Sequence, residues 1–414
     1  MRFFFNIPDE SWQRLRWLCV IAYTFFWLSF ILVNTSNSPI MDDYYAILHF
    51  LNSYIDAGAL QKVELVLSRH NEHQIVLVRL AVLTNYYLYN QINFIYLTFI
   101  AAVFLICLLW LFVRDGISKN LSWTLIPFTA LLLNLQYGTI LIWPMAALQH
   151  FSTVLFVFLT LKLFCSSTSR LAAYARFPVL YLCVLSGGAN IFVIPLIYCH
   201  YLLTRKYKKL ISLSLNTIII LAMVFVVNDD FYLSSSAHKN IIDTIIFATL
   251  FLGHLSQIKA FGLLLGITGL IGILAGIKLR FYQRYPEYFY FAIFIVLVAG
   301  SAGVSRSDYG LDYAMEGKYS VYANAFWLSL IMMYTVFFKQ RPFSPVWRTL
   351  GVGAVSICCL VLCALSWINN KKEIDDLARI NWVIYPSYEV AKDILLKSKQ
   401  HGIYNGERYI INAK

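Results

Sequence analysis

Charge is what this sequence has little of. Only 13% of its 414 residues are charged, while 60% are hydrophobic. Soluble domains carry roughly a quarter charged residues, so a water-soluble chain of this size is excluded. Paired cysteines are missing as well. There are eight Cys but no Cys-x-x-Cys, and Cys107, Cys165, Cys358 and Cys359 sit inside apolar runs. That argues against a thiolate metal site and leaves small core residues. No small-residue cleavage site follows the first apolar run, which therefore reads as a retained membrane helix rather than a signal peptide.

What is present is a succession of apolar runs of bilayer-crossing length, each of which satisfies its backbone only as a helix. Aromatics make up 17%, with 28 Tyr and 10 Trp, many near run ends where amphipathic rings prefer the interface. The fold class is all-α: a polytopic membrane protein. Eleven spans are expected, at about 16–33, 92–113, 121–141, 144–165, 172–187, 189–203, 210–228, 260–277, 288–304, 320–338 and 349–368. One set of loops holds Arg14 and Arg16, Arg114 and Lys119, Arg170, Arg205 to Lys209, Lys278 to Arg284, and Lys339 to Arg348. By the positive-inside rule these loops face the cytoplasm. The net charge of +12 is then topogenic, and a nucleic-acid partner is not expected.

Most acids fall on the other side: Asp42, Asp43, Asp56, Glu64 and Glu72, then Asp229, Asp230 and Asp243, then Asp308, Asp312 and Glu316. An odd number of spans places the N-terminus inside and a tail from about Asn369 outside. The organisation expected is a membrane domain, 1–368, with a first outer loop at 34–91, and an outer tail, 369–414. Two segments leave alternatives. Ser186–Asn190 interrupts an apolar run, so spans five and six are a tight hairpin or one broken helix. Ile241–Leu255 is short for a crossing; it lies flat or dips in and returns.

The first outer loop carries the densest chemistry. DDYYAILHFLNSY, from Asp42 to Tyr54, spaces its apolar residues as an amphipathic interfacial helix does. Asp42 and Asp43 stand in its first turn, where negative charge suits the helix dipole. Next comes SRHNEHQIVLVRL, which crowds Arg69, His70, Glu72, His73 and Arg79 before a second apolar run. His70, Glu72 and His73 lack the i, i+4 histidine pair of a helical zinc site. A cluster of cations around an anion is the better reading, and no metal is expected. Arg79 within an apolar helix needs a carboxylate or phosphate partner.

This order resembles the GT-C superfamily of membrane glycosyltransferases: an acidic pair after the first span, amphipathic helices in the first outer loop, then His and Arg before the second span. The HNEHQ stretch is similar to an HNEHR block of bacterial membrane glycosyltransferases, with Gln74 in place of the Arg. Chain length and topology also resemble the serotype-converting O-antigen glucosyltransferases. The resemblance implies a catalytic Asp that takes a proton from an acceptor hydroxyl while a sugar leaves a polyprenyl phosphate. Both acids cannot face one spot on a helix and mutual repulsion raises one pKa, so one works and the other orients or caps; Asp43 stands slightly ahead of Asp42 for the working role.

Cations must hold the leaving phosphate. Arg306 in the third outer loop is the leading candidate, followed by Lys318 and Tyr319, which resemble a late Arg-Tyr of the HNEHR proteins. Gln136, Tyr137 and Trp143 are expected at the outer surface, with Gln149 and His150 near the outer end of span four. Asn190 is a further candidate to line the cavity, and Trp382, Tyr385 and Tyr404 to contact the acceptor. The expected activity is inverting transfer of a sugar, glucose being one option, from a polyprenyl-phosphate donor to a lipid-linked or surface glycan. It would take place on the outer face of a bacterial inner membrane and need no cofactor. The competing readings are a transporter or flippase for lipid-linked sugars, and an O-antigen polymerase or ligase.

Overall fold

The computed structural model describes residues 9–71, 73–167, 169–226, 240–341, 345–377 and 387–405. In chain order its first elements are α1 (Asp9–Asn34), α2 (Phe50–Asp56), α3 (Ala59–Leu67), β1 (Arg69–His70), β2 (His73–Gln74) and α4 (Val76–Tyr89). The bundle continues with α5 (Phe94–Ser118), α6 (Leu125–Leu132), α7 (Pro144–Cys165), α8 (Arg170–Val184), α9 (Val193–Leu203) and α10 (Tyr207–Val226). It closes with α11 (Ile241–Leu252), α12 (Lys259–Lys278), α13 (Phe281–Arg284), α14 (Pro286–Arg306), α15 (Gly317–Lys339), α16 (Pro345–Leu377) and α17 (Tyr388–Gln400). Eight of these helices, α1, α5, α7, α10, α12, α14, α15 and α16, contain stretches long and apolar enough to cross a bilayer. They fall on eight of the eleven expected spans.

The segments of the other three expected spans hold only shorter helices, none long enough by itself to count among the eight. Within 121–141 the helix stops at Leu132, because Asn134 turns its side chain onto the backbone. Its amide donates to Leu131 O at 2.8 Å and accepts from Gln136 N at 2.9 Å. Arg16 donates to Ser122 Oγ, Tyr23 to Leu133 O and Trp27 to Asn134 O, so residues 122–134 run alongside α1 in the same direction. The break at Ser186–Asn190 separates α8 from α9. Asn190 pins it by donating to Cys183 O at 2.8 Å and Thr153 Oγ1 at 3.4 Å.

Burial sorts the centre from the rim. In the apolar stretches of α7 and α15, 72% of residues are buried, against 17% in α1, α10 and α16. α7 packs against α5, α8, α14 and α15. Its Phe158 stacks on Phe112 of α5 at 4.6 Å and meets Phe291 of α14 at 5.2 Å. Glycines let α11 pack closely on α12 and α14. A Cβ on Gly266 of α12 would come within 2.0 Å of Thr249 O, and one on Gly303 of α14 within 2.7 Å of Thr244 O.

The two ends of the bundle differ. At one, Asp115 pairs with Lys162 and accepts from Tyr288 Oη at 2.5 Å, while Ser166 bonds Glu287. At the other, α17 docks on the first loop. Asn52 donates to Ser398 Oγ at 2.9 Å, Lys397 pairs with Asp56 at 2.8 Å, and Tyr404 donates to Asn37 O at 2.8 Å. Residues 387–404 therefore lie beside the residues following α1.

Candidate functional site

The site grows from a tight turn. Met41 takes a left-handed conformation, φ 49°, uncommon for a residue with a long side chain. The chain then enters six π-helical residues, Tyr44–His49, which lead into α2. Asp43 reaches back across the turn: one carboxylate oxygen accepts from Ile40 N at 2.9 Å, the other from Met145 N at 3.0 Å. Met145 follows Pro144 at the start of α7, where backbone N–H groups have no partner within the helix and the dipole favours an anion. Asp43 is fully buried. Burial pushes its carboxyl up to about 8, the two amide bonds oppose this, and neighbouring Asp42 adds to the rise.

Asp42 is placed differently. It borders a cleft of about 370 Å³ together with Tyr45, His49, Arg69, His70 and Arg79. His70 lies close enough to Asp42 to feel its charge, but burial outweighs that attraction and holds the imidazole below its ordinary pKa, hence neutral at pH 7. Of the adjacent acids, Asp43 braces the turn against α7 and Asp42 faces the cleft.

Arg79 finds its partners in the backbone. Its guanidinium donates to Val66 O at 3.2 Å, Ser68 O and Arg69 O at 3.3 Å, and lies over the Phe50 ring at 5.1 Å. Burial pulls it down to about 10. It shapes the loop carrying Arg69 and His70. The two short strands form a hairpin pairing His70 with His73, and Asn71 takes the left-handed turn position, φ 51°, which Asn tolerates. Glu72 lies outside the described residues.

The hairpin reaches a second group of side chains. His73, Lys318 and Arg306 all lie within electrostatic range of His150 on α7. His150 Nδ1 is 2.9 Å from Tyr322 Oη of α15. Arg306 Nη1 donates to Tyr313 Oη at 3.2 Å and Lys318 Nζ donates to the same oxygen at 2.6 Å. Lys318 also pairs with Glu316, so part of its charge is neutralised before any ligand arrives. Tyr319 packs its ring on Phe251 at 4.8 Å, with its hydroxyl buried and unbonded.

Several buried polar atoms have no hydrogen-bond partner among the described residues: His70 Nε2 in the cleft, both amide atoms of Gln74 on the hairpin, Trp143 Nε1 at the start of α7 and Tyr319 Oη on α15. Each costs about 1–3 kcal/mol if nothing bonds it. A polar ligand would supply such bonds.

Other expected residues take structural places. Gln136 and Tyr137, expected at the surface, are buried. Gln136 donates to His254 O at 2.8 Å, Tyr137 donates to Leu132 O at 2.5 Å, and Asn324 donates to the Tyr137 hydroxyl at 3.1 Å. Two of these partners, His254 just after α11 and Asn324 of α15, are far away in sequence, which no local pattern reveals. Gln149 is buried within α7. Asn190 holds the helix break, and Tyr404 packs on Phe94 at 5.5 Å. Trp382 and Tyr385 lie outside the described residues. Tyr313, shared by Arg306 and Lys318, had no signal in the sequence beyond its place among loop acids. Among the described residues no group of three or more His, Cys, Asp or Glu is arranged to hold a metal ion. No family model, no curated protein and no solved structure matches the chain.

Proposed function

We propose that this chain is an inverting glycosyltransferase. It moves a sugar from a polyprenyl-phosphate donor to a lipid-linked or surface glycan on the periplasmic face of a bacterial inner membrane. The observation that carries the reading is the cleft at the first loop, where Asp42 stands with Arg69, His70 and Arg79, and where His70 Nε2 is buried with no hydrogen-bond partner among the described residues.

Asp42 is the general base, and Asp43, its oxygens committed to Ile40 and Met145, holds it in place. Inverting transfer needs one carboxylate to take the acceptor proton as the sugar departs. The leaving phosphate gathers negative charge, and Arg69 and Arg306 answer it with planar, doubly donating guanidinium groups. His70 lines the cleft with Asp42, while His73, Lys318 and Tyr319 join Arg306 on the donor side, with Tyr313 orienting Arg306. Arg79 acts through the loop it anchors.

Eleven crossings follow from this orientation, with the basic loops cytosolic. The eight long helices account for most of them. The stretch 122–142 and the α8 and α9 pair supply three more, and α11 dips in and returns. The docking of α17 on the first loop supports an outer C-terminal tail.

Mass spectrometry of surface glycans from cells with and without the chain tests the proposal. One added sugar residue is expected with the chain. Identical glycans, with the protein inserted in the membrane, would remove the transferase reading.

A further inference from the structure

The far end of the bundle carries a second cleft, unrelated to Asp42. It encloses about 390 Å³ between the end of α5, the α13–α14 corner and the end of α15. Three cations, Lys119, Arg284 and Lys339, line it against one carboxylate, Glu287. Glu287 is buried and bonded to Ser166, which leaves the cleft with an excess of positive charge.

The cations are held in place. Lys339 Nζ donates to Lys119 O at 2.7 Å and Asn120 O at 3.1 Å, the two residues that follow α5. An ammonium carries three N–H groups, so one remains to donate. Lys119 Nζ rests over the Tyr288 ring at 5.4 Å, and Arg284 over Phe337 at 5.8 Å. Tyr285 donates to Gln340 Oε1 at 3.2 Å, which turns the Gln340 amino group into a further donor for the cleft. A left-handed residue on each side, Asn120 at φ 54° and Arg280 at φ 56°, brings these ends together. Beside them, Ile277 and Phe338 are half-exposed apolar side chains, as expected where helix ends meet lipid tails.

From this geometry we propose that the cleft binds a phosphate group. A fork-shaped guanidinium with two ammonium groups matches a phosphate's several acceptor oxygens better than a single carboxylate. Basic pockets between helix ends on one membrane face take anionic lipid headgroups, and the apolar flank would receive the acyl chains. Free phosphate offers the same oxygens without the tails.

Thermal unfolding of the purified full-length chain in uncharged detergent decides between sources. The probes are dioleoyl-phosphatidylglycerol, dioleoyl-phosphatidylcholine, and sodium phosphate against sodium chloride at equal ionic strength. The expected result is saturable stabilisation by the anionic lipid, with little from phosphatidylcholine. Its apparent affinity should fall at least about tenfold in the Arg284→Gln/Lys339→Gln variant, a loss on the scale of one charge-assisted contact or more. Arg341→Gln, which alters a cation outside the lining, should leave it unchanged. Stabilisation by sodium phosphate matching that by the lipid, and lost in the same double variant, assigns the cleft to free phosphate. If the double variant does not survive purification, Lys119→Gln is read in the same way. Equal response to both lipids with none to phosphate, or affinity kept in the cleft variants, overturns the proposal.

Discussion

Replacing Asp43 with Ala strips two backbone donors of their acceptor at once. Ile40 N and Met145 N give their hydrogen bonds to its two oxygens, at 2.9 and 3.0 Å, inside a fully buried turn. An orphaned buried donor costs about 1–3 kcal/mol, so Asp43→Ala should destabilise by about 2–6 kcal/mol. Asp43→Asn keeps one acceptor and sets an amino group against the other donor, for a loss of about 1–3 kcal/mol. The effect should also depend on pH. Burial holds the folded carboxyl at about 8 against an ordinary 3.8. The folded chain thus keeps a proton that the unfolded chain has released. The associated stability is fully present below about pH 3.8 and is lost as pH rises through about 8. Unfolding temperatures of the purified chain should fall between pH 5 and pH 9, and Asp43→Asn, which does not titrate, should flatten that fall. An Asp43→Ala variant that melts with the wild type would show that the brace between the turn and α7 is not a stability element.

Asp42→Asn should change the unfolding temperature far less than Asp43→Ala, because Asp42 is only half-buried and its side chain anchors none of the turn's hydrogen bonds described above. It should lower transfer about 10²–10⁴-fold. Arg306→Ala should weaken donor binding, read as a raised KM for the polyprenyl-phosphate sugar; unaltered affinity would remove Arg306 from the site. Gly266→Ala would push a methyl group to 2.0 Å from Thr249 O and should destabilise by about 1–3 kcal/mol or more. Gly300→Ala in α14, with nothing near its added methyl, should be neutral or stabilising, and equal melting of the two variants would contradict the close α11–α12 packing. Activity should persist in the presence of a chelator, and its loss would call for a metal in the mechanism.

The membrane helices were legible because hydrocarbon imposes one solution on an apolar run: a helix with its backbone bonded internally. Length was less legible. The run at 121–141 reads as one helix, yet Asn134 and Gln136 find partners just after α11 and within their own turn, and the chain unwinds to reach them. The acidic pair was visible from its place after the first span. Which acid faces the cleft was not, because the choice is made by Met145 N, 102 residues away. Arg79 showed as a cation in need of a partner, but that partner is three carbonyls of its own loop. Tyr313 and the shared bonds to Arg306 and Lys318 depend on how a turn folds back over α15, which spacing does not encode.

The most direct measurement follows the sugar. The purified chain in liposomes, given polyprenyl-phosphate hexoses and an acceptor glycolipid extracted from membranes, is assayed for released polyprenyl phosphate and for the anomeric configuration of the product. Wild type should turn over with inversion, Asp43→Asn should keep part of that rate in proportion to folded protein, and Asp42→Asn should be nearly silent. Wild-type turnover by Asp42→Asn, or retention of configuration, would contradict the assignment of the cleft as the transfer site.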